Sequence, residues 1–214
     1  MSELALAAFA AETGRHVLTA PRSACFESFR RTLEAGGVRW VGRSNENFPS
    51  LLRAIHDPPA GLFLRGAATT ELLARPAVAI VGARSCSSYG AQVARSLARE
   101  LAAAGVVVVS GLARGVDGEA HRGALEAGGD TIAVLGCGVD CDYPASHREL
   151  AARIGERSLV VSEYAPGVEP APWRFPARNR IVATARPAAR SSRPTSRSRK
   201  GGRSSRCPER SPRR

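Results

Sequence analysis

A glycine, an arginine and several serines follow an apolar run near the middle of the chain, in Val78-Ala-Ile-Val-Gly-Ala-Arg-Ser-Cys-Ser-Ser-Tyr-Gly90. The apolar residues do not alternate with polar ones, which predicts a buried strand over Ala77–Val81, covered on both faces. Gly82 then allows a sharp turn and the close approach of a ligand to the backbone. Residue types of this kind, directly after a strand, are suited to binding an anion.

Arg84 places a planar cation in this loop. Ser87 or Ser88 can cap the helix that follows, so that its first N–H groups point at whatever the loop holds. Arg84 also stands where the dinucleotide-binding fingerprint G-x-G-x-x-G has its second glycine, and a bulky side chain there would block a pyrophosphate. The loop therefore favours a phosphate bound by a guanidinium over NAD. The alternative is an ordinary strand-to-helix turn with a solvated arginine.

Two further glycine-rich loops follow apolar runs. The second loop, Ser110–Gly118, follows the run Val106–Val109, and the third loop, Gly136–Pro144, follows Thr131–Leu135. Strands alternating with helices over short connections predict an α/β fold, a Rossmann-like doubly wound parallel sheet. The carboxyl ends of parallel strands meet at one edge of a sheet, so the three loops should converge into one site.

An aromatic and cationic segment follows the fourth predicted strand, Ser158–Ser162. Between Pro170 and Arg180 the sequence interleaves Trp173 and Phe175 with arginines. This pattern suits single-stranded nucleic acid, because bases stack on the rings while guanidiniums hold phosphates. The alternative is that the two rings only cover the end of the sheet.

Asp117 and His121 are four residues apart on a predicted helix. Such a pair could be catalytic, but the spacing is more typical of a capping and orienting pair. The sequence contains no Ser-His-Asp arrangement and no P-loop. Cys137 and Cys141 lack a second pair or a histidine at zinc-site spacing and are predicted to be reduced and structural. We therefore expect no metal and no cofactor.

The charge of the chain is concentrated at its C-terminal end. Eleven of the 31 Lys and Arg residues and one of the 19 acids follow Ala183, so this tail contributes +10 of the net charge of +12. Because the rest of the chain is nearly neutral, a nucleic-acid site there must be a local patch. The sequence contains no stretch of about 18 apolar residues, so it predicts no membrane span. Its first residues lack the basic region that is typical of a secretory signal. We expect a cytoplasmic protein.

Five motifs together resemble the DprA/Smf family of DNA-processing proteins, in the family's order and spacing, from about Phe48 to Ala183. They are Gly82-Ala-Arg-Ser with Tyr89-Gly90, Ser110-Gly-Leu-Ala-Arg-Gly-Val-Asp117 with Ala120-His121, Gly136-Cys-Gly138 with Tyr143-Pro144, Ser162-Glu163 with Pro166-Gly167, and Phe175-Pro-Ala-Arg-Asn-Arg-Ile-Val-Ala183. The resemblance implies a Rossmann-like core that binds single-stranded DNA without sequence preference. It also implies protection of incoming DNA in natural transformation and loading of a RecA-type recombinase, usually by a homodimer. The family is not known as an enzyme.

By motif, the resemblance implies that the loop around Arg84 holds phosphates and that Phe175 stacks a base, with Arg178 and Arg180 beside it. Glycines of the second and third loops would shape the pocket. The predicted DNA- and phosphate-binding residues are Gly82, Ala83, Arg84, Ser85, Ser88, Tyr89, Gly90, Ser110, Gly111, Ala113, Gly115, Asp117, Gly136, Gly138, Phe175, Arg178, Asn179 and Arg180.

Three parts are expected along the chain: a short helical segment over residues 1–37, the core over 38–183, and a disordered Arg-, Ser- and Pro-rich tail over 184–214. The family continues past Ala183 with Gly-Leu, an apolar strand, a helix and a further strand, and its dimer and recombinase surfaces lie largely there. The chain has one lysine, Lys200, against 30 arginines, which indicates GC-rich coding DNA. We therefore expect a truncation or frameshift after Ala183, with an evolved basic arm as the alternative.

Two alternatives to DNA binding remain open on the sequence. A Rossmann-like nucleoside monophosphate phosphoribohydrolase would share the first loop but needs a Pro-Gly-Gly-x-Gly-Thr loop and a nearby acid. Gly136-Cys-Gly-Val-Asp140 matches that loop only weakly. The other alternative is that the chain is a non-functional fragment, incomplete at its C-terminal strands.

Overall fold

The computed structural model describes Arg31 and residues 33–185. Most of the predicted N-terminal helical segment and all of the predicted tail except Thr184 and Ala185 lie outside the described residues. Within the described part, no helix is both long enough and apolar enough to cross a bilayer.

In the described residues, six strands form one mixed sheet with the order β1-β2-β6-β5-β4-β3. Strands β3 to β6 are parallel, whereas β1 pairs antiparallel with β2 and β2 pairs antiparallel with β6. The strands are β1 (Val38–Gly42), β2 (Gly61–Arg65), β3 (Ala77–Ala79), β4 (Val107–Ser110), β5 (Thr131–Leu135) and β6 (Leu159–Ser162). The prediction of an α/β, Rossmann-like fold is confirmed, and two antiparallel strands extend its parallel sheet.

Helices flank this sheet. They are α1 (Ser50–Arg53), α2 (Ser88–Ala103), α3 (Val116–Glu126), α4 (Arg148–Arg157) and α5 (Arg174–Val182), with short 3-10 helices at Thr70–Ala74 and Ala145–His147. Helix α2 buries Ala94, Ala98 and Ala102, which recur every four residues and so lie on one face. Because these side chains are small, α2 lies close to α3, where Ala120 and Ala124 share the same buried cluster.

The core lies on both faces of the sheet, because successive strand side chains point to opposite sides. On one face, Val108 packs with α2 and α3, and Val160 packs in a cluster with residues of α4. On the other face, Val109 and Val161 pack in one cluster with Ile181 of α5. Every residue of β4, β5 and β6 is therefore buried, as their unbroken apolar runs predict.

Strand β3 departs from the prediction of a fully buried strand over Ala77–Val81. It spans Ala77–Ala79, its three residues are only partly buried, and Val81 is 60% exposed. The reason is its position at the edge of the sheet, where β4 is its one partner strand among the described residues. In addition to its bonds with β4, the backbone of β3 forms a hydrogen bond with Ala185: the N–H of Ala79 donates to the Ala185 carbonyl at 3.1 Å.

Candidate nucleic-acid interface

The first loop is open to solvent at the carboxyl edge of the parallel strands. Gly82, Ala83, Arg84 and Ser85 are exposed, as are Ser88 and Tyr89 at the start of α2. The hydroxyl of Ser87 accepts the N–H of Gly90 at 3.2 Å and caps the helix. Of the two serines that the sequence offered, Ser87 is therefore the cap.

Arg84 and two aromatic rings form a stack at this edge. The Cζ of Arg84 lies 5.5 Å from the centroid of the Phe175 ring, within the range of a cation–π interaction. The Phe175 ring in turn stacks on Tyr143, with centroids 5.1 Å apart and ring planes at 25°. We call Arg84, Phe175 and Tyr143 the edge stack. Tyr143 comes from the third loop and is 41% exposed, and the sequence motif alone did not single it out as a partner of Phe175.

Asp117 joins the first and second loops from beneath. Its carboxylate accepts the backbone N–H of Gly111 at 3.1 Å and that of Gly82 at 3.4 Å, and the side chain is buried. Next to it, the N–H of Val116 donates to the carbonyl of Ala83 at 3.2 Å. The geometry thus gives Asp117 a positioning role for the loops.

Close packing of the two loops requires glycine at position 115. Gly115 has a φ of +76°, and a Cβ there would lie 2.8 Å from the carbonyl oxygen of Arg84. Two other predicted residues of the second loop form hydrogen bonds within the protein. The Ser110 hydroxyl donates to the carbonyl of Ile80 at 2.6 Å, and the carbonyl of Ala113 accepts the N–H of Gly118.

Arg178 is turned into the protein, where its side chain is buried. Its guanidinium donates to the carbonyl of Gly111 at 2.7 Å and to the carbonyl of Val134, and its Nε donates to the Asn179 side chain at 3.2 Å. Burial lowers the pKa of Arg178, and the nearby Asp117 opposes that shift. Arg178 thus bridges the ends of β4 and β5.

Arg180 is also engaged by the protein. Its Nη1 and Nη2 donate to the two carboxylate oxygens of Glu163 at 2.8 and 2.6 Å, and its Nε donates to the Asp57 carbonyl at 3.0 Å. The pair ties α5 to the residue directly after β6. A direct role for Arg178 or Arg180 in binding DNA stays a prediction.

The third loop supports Phe175 from below. A Cβ on Gly136 would lie 3.0 Å from Cδ1 of Phe175, and a Cβ on Gly138 would lie 2.8 Å from the carbonyl oxygen of Ala165. The predicted glycines of this loop therefore leave room for the ring and for the segment after β6. Asn179, the remaining predicted residue, is exposed on α5.

The expected pairing of His121 with Asp117 is wrong. His121 is fully buried and its Nδ1 lies 2.7 Å from the Thr131 hydroxyl. That hydroxyl donates its one proton to the carbonyl of Val108, so Nδ1 of His121 must carry the proton between them. Burial lowers the pKa of His121 to about 3, with His147 and Arg178 contributing. The reason is that the backbone N–H groups of Gly82 and Gly111 engage the Asp117 carboxylate, while the Thr131 hydroxyl engages Nδ1 of His121.

Trp173 does not cover the end of the sheet, which was one of the two interpretations of its position. The side chain is 63% exposed. Phe175, two residues later, is partly buried against Gly136. The sequence had grouped the two rings in one segment, but it did not predict that α5 begins between them and separates their environments.

Near this edge, the Asp140 carboxylate has a hydrogen-bond partner and the Cys137 thiol is buried. The Asp140 carboxylate accepts the N–H of Gly167 at 2.9 Å. Burial raises the pKa of the Cys137 thiol to about 12, so the thiol is protonated and unreactive at neutral pH. Within the described part of the chain, no three His, Cys, Asp or Glu side chains come together as metal ligands.

This chain is similar to proteins that process DNA. The DNA processing protein DprA of Streptococcus pneumoniae is 47% identical over 140 residues, which cover 64% of this chain and 47% of that protein. Protein Smf of Escherichia coli is 38% identical over 174 residues, which cover 77% of this chain and 46% of that protein. The chain thus spans about half the length of the curated relatives it matches.

Solved structures show the same likeness in three dimensions. The structure of DprA from S. pneumoniae superposes with a TM-score of 0.66 at 33% identity, covering 86% of this chain and 70% of that one. The structure of DNA processing protein A from Helicobacter pylori, whose description names a single-stranded DNA binding mode, gives 0.62 at 37% identity and covers 70% of this chain and 66% of that one. The family model for DNA recombination-mediator protein A matches residues 39–189. Since that match takes in well over half of the chain, the chain belongs to this family of DprA and Smf proteins.

Proposed function

We propose that this chain binds single-stranded DNA at the carboxyl edge of its parallel strands, as part of DNA processing. The observation that carries the proposal is the edge stack, an exposed guanidinium over one of two stacked aromatic rings. Every base has a π-face, so stacking on such rings tolerates any sequence, while the cation attracts the phosphate backbone. The family name and the Helicobacter pylori relative support the same function.

Arg84 is suited to change partners when DNA binds. It is exposed, and no acceptor in the described part of the chain bonds its guanidinium. We propose that Arg84 leaves the Phe175 ring to bind a phosphate and that a base takes its place on the ring. The exposed amides of the first loop and the capped start of α2 would add donors to the same phosphate.

The proposal is tested with Arg84→Ala and Phe175→Leu in the full chain. Phe175→Leu keeps an apolar side chain against Gly136 but removes the ring. Binding of fluorescent oligo-dT is measured by anisotropy at several salt concentrations. We expect Arg84→Ala to weaken binding and to reduce the dependence of log affinity on log salt by about 0.7, the value for one lost phosphate contact. Phe175→Leu should weaken binding by about fivefold or more with little change in that slope.

Arg43→Ala is the matched control, since Arg43 is an exposed arginine in the turn after β1. The basic tail contributes the same electrostatic background to all variants. If Arg84→Ala and Phe175→Leu bind oligo-dT as tightly as Arg43→Ala, the proposed site is wrong.

We further propose that this chain has the family's roles in protecting incoming DNA and in loading a RecA-type recombinase, and that it forms a homodimer. An assay of RecA filament formation on oligo-dT coated with single-strand-binding protein tests the loading role. Failure of the chain to accelerate filament formation would reject it. We do not favour a nucleotide-cleaving function, because Asp117, Asp140 and Glu163 each accept hydrogen bonds from the protein.

A further inference from the structure

A second cluster of rings and a guanidinium lies at the start of α5. Trp173 and Tyr164 meet edge to face, with ring centroids 6.4 Å apart and planes at 85°. The Cζ of Arg174 lies 5.0 Å from the centroid of Trp173 and 5.2 Å from that of Tyr164. The edge stack uses none of these three residues, and we call them the α5 cluster.

In the α5 cluster Trp173 is exposed, whereas Tyr164 and Arg174 are partly buried. The Trp173 side chain is 63% exposed, so most of its surface faces solvent. The N–H of Tyr164 donates to the buried hydroxyl of Ser162 at 3.0 Å, and the Arg174 guanidinium donates to the carbonyl of Glu169. The Nε of Arg174 is buried and has no hydrogen-bond acceptor in the described part of the chain. An exposed ring beside a guanidinium is suited to stacking a base and attracting its phosphate.

The α5 cluster and the edge stack lie on opposite sides of the same helix start. Trp173 precedes α5 and Phe175 is its second residue. Side chains two residues apart in a helix point about 200° apart, because each residue turns the helix by about 100°. Accordingly Phe175 contacts Arg84 and Tyr143, while Trp173 contacts Tyr164 after β6.

We infer that Tyr164, Trp173 and Arg174 form a second nucleotide-binding subsite. A single strand held at the edge stack would cross the first turn of α5, stack a further base on the exposed Trp173 ring, and place a phosphate near Arg174. The inference rests on the proposed function, since the strand enters from the edge stack. Its ligand is an unpaired base with its phosphate, and any base will do because stacking does not distinguish sequence.

Tryptophan fluorescence tests the subsite directly. The chain has two tryptophans, and Trp40 is partly buried against Phe63 with ring centroids 4.5 Å apart. We expect oligo-dT to quench the fluorescence of the wild type and of Trp40→Phe, and to leave Trp173→Phe almost unquenched. Quenching that persists in Trp173→Phe and disappears in Trp40→Phe would overturn the inference. Equal quenching of Trp173 by a blunt duplex would also overturn it, because paired bases are not available to stack.

Affinity separates the subsite from the proposed function. In the full chain, Trp173→Ala should weaken binding to oligo-dT of about eight nucleotides by about fivefold or more, and Trp173→Phe should restore most of the loss. Trp173→Ala should have little effect on a thymidine dinucleotide, which cannot span both sites. Measurement at raised salt reduces the electrostatic contribution of the tail and leaves the stacking contribution.

The affinities of the three variants for oligo-dT distinguish the second subsite from the proposed function. If Trp173→Ala binds like the wild type while Arg84→Ala and Phe175→Leu bind weakly, the second subsite is wrong and the proposed function stands. If all three variants bind like the wild type, the proposed function fails as well. Trp173 is mostly exposed, so a variant that fails to fold is not expected, and circular dichroism checks this.

Discussion

The guanidinium of Arg178 occupies the space that a side chain on residue 111 would need. A Cβ on Gly111 would lie 2.6 Å from Cζ of Arg178, and the guanidinium cannot move away without losing its bonds to the carbonyls of Gly111 and Val134. The Gly111 carbonyl directly follows β4, and the Val134 carbonyl lies near the end of the neighbouring strand β5. The glycine and the buried arginine therefore form one structural unit beneath the edge stack.

Gly111→Ala should destabilise the fold. Forcing a methyl group against a buried guanidinium is overpacking and should cost about 1–3 kcal/mol of unfolding free energy, measured by urea denaturation. The matched control is Gly155→Ala in α4, where a Cβ meets nothing within 4 Å and where alanine should stabilise the helix by about 0.5–1 kcal/mol. Equal stabilities of the two variants would contradict the packing of Arg178 against Gly111.

Asp117→Asn should weaken both the fold and the proposed DNA site. The side-chain amide keeps one acceptor oxygen, so the N–H of Gly82 or that of Gly111 is left facing a donor. We expect a loss of about 1–3 kcal/mol in unfolding free energy and weaker binding of oligo-dT, because the two loops lose their common tie. Asp142→Asn is the control, since Asp142 pairs with the exposed Arg148, and it should cost at most about 1 kcal/mol. An Asp117→Asn protein as stable as Asp142→Asn would show that the carboxylate does not hold the loops.

His121 should make the fold sensitive to acid. Burial holds its pKa at about 3 in the folded protein, against about 6.5 in an unfolded chain. The unfolded state therefore takes up the proton first as pH falls below about 6.5, and the fold loses up to about 1.4 kcal/mol per pH unit until pH approaches the folded pKa. Denaturation at pH 7.5 and pH 5 measures this loss.

His121→Asn should remove much of that acid sensitivity, because the amide N–H2 can donate to Thr131 in place of Nδ1 and does not titrate. His56→Asn is the control at an exposed histidine and should keep the wild-type pH dependence. If His121→Asn and the wild type lose the same stability between pH 7.5 and pH 5, His121 is not the responsible group.

Ser87→Ala should destabilise the fold by about 1 kcal/mol, because the hydroxyl of Ser87 satisfies the N–H of Gly90 at the start of α2. Ser88→Ala is a matched control one residue later, inside the helix, where alanine is at least as favourable as serine. Thermal unfolding compares the two variants. A larger loss in Ser88→Ala would contradict the assignment of the cap to Ser87.

The apolar runs and glycine-rich loops were sufficient to predict the parallel sheet, because the features that predict strands and turns are local. Val107–Val109 has too little polar character for anything but a buried strand, and a glycine-rich loop after each such run places three loops at one edge. The same logic overstated the burial of Ala77–Val81, since periodicity cannot tell an edge strand from a central one.

The partners of the polar side chains were decided by the tertiary structure, because they lie far away in sequence. Asp117 bonds to Gly82, Arg178 to Gly111 and Val134, and Arg180 to Glu163 and Asp57. The sequence by itself placed Arg84 in a loop at the carboxyl edge of the sheet, but it did not single out Tyr143 as a partner of Phe175. Only the tertiary packing decided that Arg178 and Arg180 bind acceptors in the protein, whereas Arg84 and Trp173 face solvent. The physical reason is that a buried guanidinium must have hydrogen-bond acceptors, and these come from distant parts of the chain.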